Sequence, residues 1–262
     1  MIGADIGAAV IAPERFLMEL IWCSLRTGAA LALLPAIGGA VIPVQVRIGL
    51  AGVIGFFVLA GPAPPQPPAD LLSLAGAVAI AGELLVGLTL ALALQAAFAV
   101  AAIAGEWIAQ AMGLGFATLV SPAGGPASML GVILGLLMWA TFLSAGGHLL
   151  LFQLVVESYR SLPAPGVLLE GERLQAILSW GGFAIASGLI AALPLGGMLL
   201  LLNIILGVAA RSAPQLNLFA VGFPLMLLTG LAALPLALPG MAASFAGALL
   251  SLQQQVAAVI LG

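Results

Sequence analysis

The chain has 262 residues, of which 63% are hydrophobic and 6% charged, with a net charge of -3 and a mean hydropathy of +1.30. A soluble domain carries about 25% charged residues, so a water-exposed globule is excluded. At about 20 residues per span the length leaves room for roughly six to eight apolar helices. All six basic residues are Arg, which suits packed or paired guanidinium groups and leaves no cationic face for nucleic acid. One Cys and one His can form neither an internal disulfide nor a zinc site, so no metal and no cofactor are expected. The opening M-I-G-A-D-I-G lacks the basic start of a signal peptide, and the first apolar segment is expected to be retained.

Phe16–Leu34 is the first apolar run, with Arg26 inside it and Pro35 at its end; a Gly-rich break leads to Pro43 and a second run, Val44–Leu59. Gly61–Ala69 (G-P-A-P-P-Q-P-P-A) holds five prolines and reads as an extended linker. The third run, Leu71–Ala104, contains Glu83 and Gln95 among recurrent glycines and alanines, a composition that lets helices approach closely. Gly105–Ser128 is rich in Gly and Pro yet apolar, which predicts a buried, irregular segment. Met129–Val156 resumes an apolar helix, interrupted by S-A-G-G-H at 144–148, and Glu157–Arg173 is the most polar stretch, expected to be an aqueous loop. Leu174–Leu193 and Leu195–Ala210 predict one hairpin or a broken helix hinged at Pro194.

Arg211–Leu225 (R-S-A-P-Q-L-N-L-F-A-V-G-F-P-L) then forms a polar, proline-bearing break between two stretches free of Asp, Glu, Lys and other Arg. Such a junction is tolerated at membrane depth only against protein or a wet cavity. From Phe219 onward, Pro224, Pro235 and Pro239 predict short helical hairpins. The expected fold class is therefore all-α, a single membrane-type domain over 1–262 built of Pro/Gly-broken helical hairpins with about six apolar segments. The scattered arginines do not alternate cleanly between loops, so the positive-inside rule does not fix topology.

Carboxylates in apolar runs are costly, so Glu83 and Glu106 are functional candidates by default; the alternative is a helix-end charge or a pairing with an arginine. Arg26 would be satisfied by a carboxylate or by the carbonyls of a helix C-terminus. His148, in a G-G-H turn, is either a pH switch or a satisfied structural group. Ser121, Ser128 and Ser144 have no His or Asp at a recognisable spacing, and G-L-G at 113–115 lacks the strand–turn–helix setting of a phosphate loop. No active site is visible. Met112–Pro126 places Met112, Leu114, Phe116, Leu119, Val120 and Pro122 on a backbone loosened by Gly113 and Gly115. That is either an ordinary loop or a plug, since a hydrophobic constriction blocks water and ions without a charge.

Several patches, in order, resemble the flagellar biosynthetic protein FliR family. They are Arg26, Pro35, Pro43 and V-R-I-G-L-A (Val46–Ala51); E-L-L-V-G (Glu83–Gly87); G-E-W-I-A-Q-A-M-G-L-G-F-A-T-L-V-S-P (Gly105–Pro122); G-G-H with Leu162-Pro163; A-L-P-L (Ala192–Leu195), Asn203 and Leu206-Gly207; and A-P-Q-L-N-L-F-A-V-G-F-P-L (Ala213–Leu225). Two positions depart from the family's pattern: Ala111 where Gln is frequent, and Ser121 where Asp precedes the proline. The resemblance implies a structural, channel-forming subunit of the flagellar type III export gate in the bacterial inner membrane at the basal body. It implies no catalysis; a single copy would join P and Q subunits and contact the flagellar B protein, and unfolded substrates would pass. The segment matching Met112–Pro126 would be its plug, and Arg26, Glu83, Glu106, Arg211, Gln215 and Asn217 would make structural or partner contacts. The alternatives are a secondary transporter, which would want paired helix breaks in two similar halves, or the homologous injectisome subunit.

Overall fold

Away from water a backbone can satisfy its N–H and C=O groups only within its own segment, and helix dominates accordingly. The computed structural model describes residues 13–35, 42–62, 64–115, 128–162, 171–212 and 218–261. They form α1 (Pro13–Leu33), α2 (Val44–Leu59), α3 (Leu74–Ala111), α4 (Met129–Ser144), α5 (Gly147–Ser161), α6 (Gly171–Ser212) and α7 (Leu218–Leu261). No strand occurs among the described residues, so the all-α class holds.

The helix ends follow local chemistry. Pro13 occupies the first position of α1, where its missing N–H costs nothing, and Glu14 follows in the first turn, where a carboxylate favours the helix dipole. Pro43 precedes α2 in an extended conformation. Ser73 Oγ accepts from the Gly76 N–H at 3.0 Å to start α3, and Ser128 Oγ accepts from the Gly131 N–H at 3.0 Å to start α4. At the far end of α3, Leu114 N–H donates to Ala109 O (2.9 Å) and Gly113 N–H to Gln110 O (3.0 Å), with Gly113 at φ +80°. This is a Schellman cap, which needs a residue tolerant of positive φ. Gly146, at φ +70°, likewise separates α4 from α5.

Three expectations change. Helix α3 continues to Ala111, seven residues into the segment expected to be irregular from Gly105, because E-W-I-A-Q-A contains no breaker before Gly113. The polar stretch 157–173 is helical at both ends, up to Ser161 and from Gly171; residues 163–170 and 116–127 lie outside those described. Most telling, α6 runs unbroken for 42 residues through Pro194, where a hairpin or a broken helix was expected, and α7 for 44 residues through Pro224, Pro235 and Pro239, where short helical hairpins were expected. A proline removes one intrahelical bond, whereas a hairpin turn exposes about four N–H and four C=O groups at the ends it creates. In an apolar setting the proline is the smaller loss.

The contacts divide the chain into two compact units. One gathers α1, α2, α3 up to Gln95, α5 from His148, α6 up to Ser179 and α7 from Gln253; the other holds α3 from Ala96, α4, α6 from Trp180 and α7 to Leu252. In the first, Leu31, Leu34 and Ala51 form a buried cluster with Ile54, Leu94 and Leu151 against it. In the second, Phe98, Trp139 and Phe142 interlock with ring centroids 4.6 to 5.7 Å apart, and α3 crosses α4 at Gly105 and Gly131. A Cβ on Gly105 would stand 2.5 Å from Gly131 Cα, so the two backbones touch. Among the described residues four helices are long and apolar enough to cross a membrane, or five spans if α4 and α5 count as one bent span.

The crossing gives a paired prediction. Gly105→Ala is expected to lose about 1–3 kcal/mol through overpacking. Gly135→Ala, whose Cβ would meet nothing within 4 Å, should be neutral or gain up to about 1 kcal/mol of helix propensity. Thermal unfolding of both variants in the same detergent would separate them; equal stabilities would contradict the close crossing.

Candidate functional site

A guanidinium buried in an apolar unit needs a carboxylate and further acceptors, and the first unit supplies them from two other helices, α3 and α5 with its end. Arg26 of α1 is 1% exposed and Glu83 of α3 is 4% exposed. Arg26 Nε donates to Glu83 Oε2 at 2.8 Å and Nη2 donates to Glu83 Oε1 at 3.0 Å, the two-point geometry in which an arginine pair is strongest. The remaining donors reach α5 and its end: Nη1 to Ser158 Oγ (3.0 Å) and Nη2 to the Leu162 carbonyl (3.1 Å). Arg26 Cζ lies 4.2 Å from the centre of the Tyr159 ring, a cation–π contact, and the Tyr159 hydroxyl donates to the Cys23 carbonyl at 2.6 Å.

Each part has a local cause. Arg26 meets both kinds of partner considered for it, a carboxylate and a carbonyl at a helix end, where positive charge also favours the dipole. Glu83 reaches Arg26 because Gly87, one turn further along α3, lets α1 close in. A Cβ at 87 would overlap the Arg26 carbonyl oxygen and come 2.8 Å from Ala29 Cβ. The E-L-L-V-G wording thus joins a carboxylate to the glycine that brings its arginine within range. Gln95 of α3 adds a cap, its Nε2 donating to the Leu33 carbonyl at 2.6 Å.

The second unit holds the start of the segment expected to form a plug, Met112–Gly115, and Ser128, two residues past its end. At its start Met112 is fully buried beneath Gly230 of α7, where a Cβ would come 2.7 Å from the methionine side chain; a Cβ on Gly113 would meet Phe223 at 3.0 Å. Leu114 and Gly115 follow, half-buried. Beyond the segment, Glu106 of α3 accepts a short hydrogen bond from the N–H of Ser128, the residue that caps α4. Glu106 therefore pairs with a helix N-terminus, where its charge is favourable, rather than with an arginine. Phe116, Leu119, Val120 and Pro122 lie outside the described residues, as do Gln215 and Asn217. Arg211 is exposed in the last turn of α6, and His148 is exposed in the first turn of α5.

Residues 17–252 match the model of the bacterial export proteins, family 1. The chain belongs to that family, the FliR family. It is 35% identical over 226 residues to a flagellar biosynthetic protein FliR of Pectobacterium carotovorum, covering 86% of each chain. The FliR of Escherichia coli K12 is 35% identical over 219 residues, 83% of each chain. That of Bacillus subtilis is 28% identical over 209 residues, 77% of this chain and 78% of its own. The match to this export family spans both the Arg26–Glu83 contact and the Glu106–Ser128 contact.

Sequence reasoning singled out Arg26, Glu83 and Glu106 without joining them to their partners. It passed over Ser158, Tyr159, the Leu162 carbonyl, Gly131 and Gly230. Ser158 and Tyr159 carried a usable signal: a hydroxyl and a phenol side by side in V-V-E-S-Y-R at the end of an otherwise apolar helix. Gly131 and Gly230 carried none, since 34 glycines give no means of telling which face a neighbour.

Removing one partner of a buried pair strands the other. Glu83→Gln is expected to lose about 3–5 kcal/mol, while the double change Arg26→Met with Glu83→Leu should recover much of it. The check is a double-mutant cycle from unfolding in detergent; additive single losses would show that the pair acts independently.

Proposed function

We propose that the chain is a structural, channel-forming subunit of the flagellar type III export gate, assembling with P and Q subunits at the basal body and passing unfolded flagellar proteins across the inner membrane. The observation that carries this reading is a mismatch between helix length and cover. Helices α6 and α7, at 42 and 44 residues, span about 63 and 66 Å, roughly twice the ~30 Å hydrocarbon core. Yet their best apolar windows are only 28% and 22% buried within the chain. Lipid can cover about half of each length, so the rest of that apolar surface calls for other protein. Family membership supplies the setting, since the curated relatives are named for flagellar biosynthesis.

The charged groups support a conduit rather than a reaction. Arg26 and Glu83 are spent on each other and Glu106 on a helix end. Met112–Pro126 is the proposed plug; its start is held by Met112 and Gly113 against α7, and Ser128, two residues past its end, donates to Glu106.

Co-expression with the flagellar P and Q subunits should yield a stable heteromer holding a single copy of this chain, by mass in mild detergent; a monomer or homodimer indifferent to both would refute the assignment. In the assembled complex, deleting residues 117–124 while keeping Met112 and Ser128 is expected to raise ion flux through reconstituted vesicles at least tenfold. Vesicles as tight as those with the intact chain would remove the plug role and leave the subunit role standing.

A further inference from the structure

Helices α1 and α2 meet along small residues. A Cβ on Gly28 would touch the Ala51 Cβ at 3.8 Å, and one on Gly55 would overlap Ser24, so the two helices run antiparallel and close together. Beside that seam lies a cleft of about 600 Å³. Gly28, Ala51 and Gly52 line it where the helices touch, and Leu20, Leu25 and the exposed Ile21 and Ile48 keep it apolar. Its polar lining is Ser24 and Arg47. The Ser24 hydroxyl is spent within its own helix, donating to the Leu20 carbonyl at 2.6 Å, which leaves the guanidinium as the group that can select a ligand.

Shape and charge together say what fits. From Leu20 to Ala32 the cleft follows α1 for about 18 Å, close to the ~15 Å of hydrocarbon in one leaflet. Spread over that length, its volume gives a mean width of roughly 6–7 Å. A helix with its side chains needs about 10–12 Å, so the cleft suits one extended hydrocarbon chain and is too narrow for a partner helix. Arg47 lies in the first turn of α2, at the end of the cleft next to the α1–α2 connection. Its Nε and Nη2 donate to the Ile42 carbonyl at 3.3 and 2.9 Å, contacts that orient a guanidinium without cancelling its charge. A cation is disfavoured at the positive end of a helix dipole, and this first turn holds no acidic residue and no side-chain cap. An anion there would be attracted by Arg47 and by the helix end at once.

We infer that the cleft between α1 and α2 binds one anionic phospholipid. An acyl chain lies along Gly28, Ala51 and Gly52, and the phosphate sits on Arg47 at the N-terminus of α2. Both parts are needed: a tail alone would enter without head-group preference, and a free phosphate would gain nothing from the apolar walls. The site is built from this chain alone and does not depend on the export-gate reading.

The test uses the full-length chain, delipidated in mild detergent, with phosphatidylglycerol or phosphatidylcholine titrated in and bound lipid counted by native mass spectrometry. One phosphatidylglycerol should bind about tenfold tighter than phosphatidylcholine. Around Gly52 a Cβ would meet nothing within 4 Å, so Gly52→Leu fills the cleft without a clash. It should weaken phosphatidylglycerol binding about tenfold while the unfolding temperature is kept. Arg47→Gln should erase the head-group preference, and Arg47→Lys should retain most of it. A further measurement needs no substitution: phosphatidylglycerol with a diazirine in its acyl chain, irradiated with the unsubstituted chain, should label residues 20–32 and 44–52. Equal binding of the two lipids, a folded Gly52→Leu variant that binds as tightly as the unsubstituted chain, or labelling spread evenly over the apolar helices would each overturn the site. Inorganic phosphate that displaces the lipid at equal concentration would overturn it too, by showing an anion site without an acyl groove.

Discussion

Burying one guanidinium constrains much of the first unit. Taking a charge out of water costs several kcal/mol even after relaxation, so Arg26 is compatible with its position only while Glu83, Ser158 and the Leu162 carbonyl all stay in range. Those partners lie on α3, on α5 and at its end. Four hydrogen bonds and a ring face thereby fix how three helices meet. The pair adds less to net stability than its geometry suggests, because apolar residues of equal volume can match a buried ion pair. Its stronger effect is to penalise arrangements that separate α1 from α3 or release the end of α5.

Charge and close packing depend on the same residue pattern. Gly87 lies one turn from Glu83, and without that glycine α1 would stand too far away for a bidentate contact. The second unit repeats the device with different chemistry: Gly105 and Gly131 bring α3 against α4, and beside that contact Glu106 accepts from the N–H of Ser128, the cap of α4. In both places a glycine sets the distance and an adjacent carboxylate uses it. A carboxylate with only two rotatable bonds beyond its Cβ has little reach, which is why each sits within a turn of the glycine that serves it.

Much of the helical layout was legible in the sequence. The second apolar run, expected from about Val44 to Leu59, is α2, and the Pro-rich stretch falls between α2 and α3. What was misjudged is proline. Its helix-breaking rank comes from water, where a broken helix finds solvent for its freed groups. Pro194, Pro224, Pro235 and Pro239 lie in stretches without a charged residue, and there the alternative to a strained helix is an unsatisfied backbone. The site was half legible. Arg26, Glu83 and Glu106 stood out because charge is rare in this chain, but 57 residues separate Arg26 from Glu83, and nothing in composition or spacing joins positions so distant.

The prolines also bear on what α7 can do. Proline at position i leaves the carbonyl at i−4 without its intrahelical N–H. Pro235 frees the Leu231 carbonyl and Pro239 frees that of Pro235 itself, and Leu231, Pro235 and Pro239 are exposed on one face. Each of these carbonyls loses its intrahelical donor on a stretch whose apolar window is 22% buried. Lipid tails cannot donate to them, whereas a neighbouring Ser, Thr, Asn, Gln or Arg side chain can. On α6, among the described residues, no hydrogen bond or ion pair engages the side chain of Asn203 or Arg211. Where lipid surrounds such groups, hydrogen-bond accounting, more than hydrophobicity, says whether a membrane chain needs water or other protein against a given stretch.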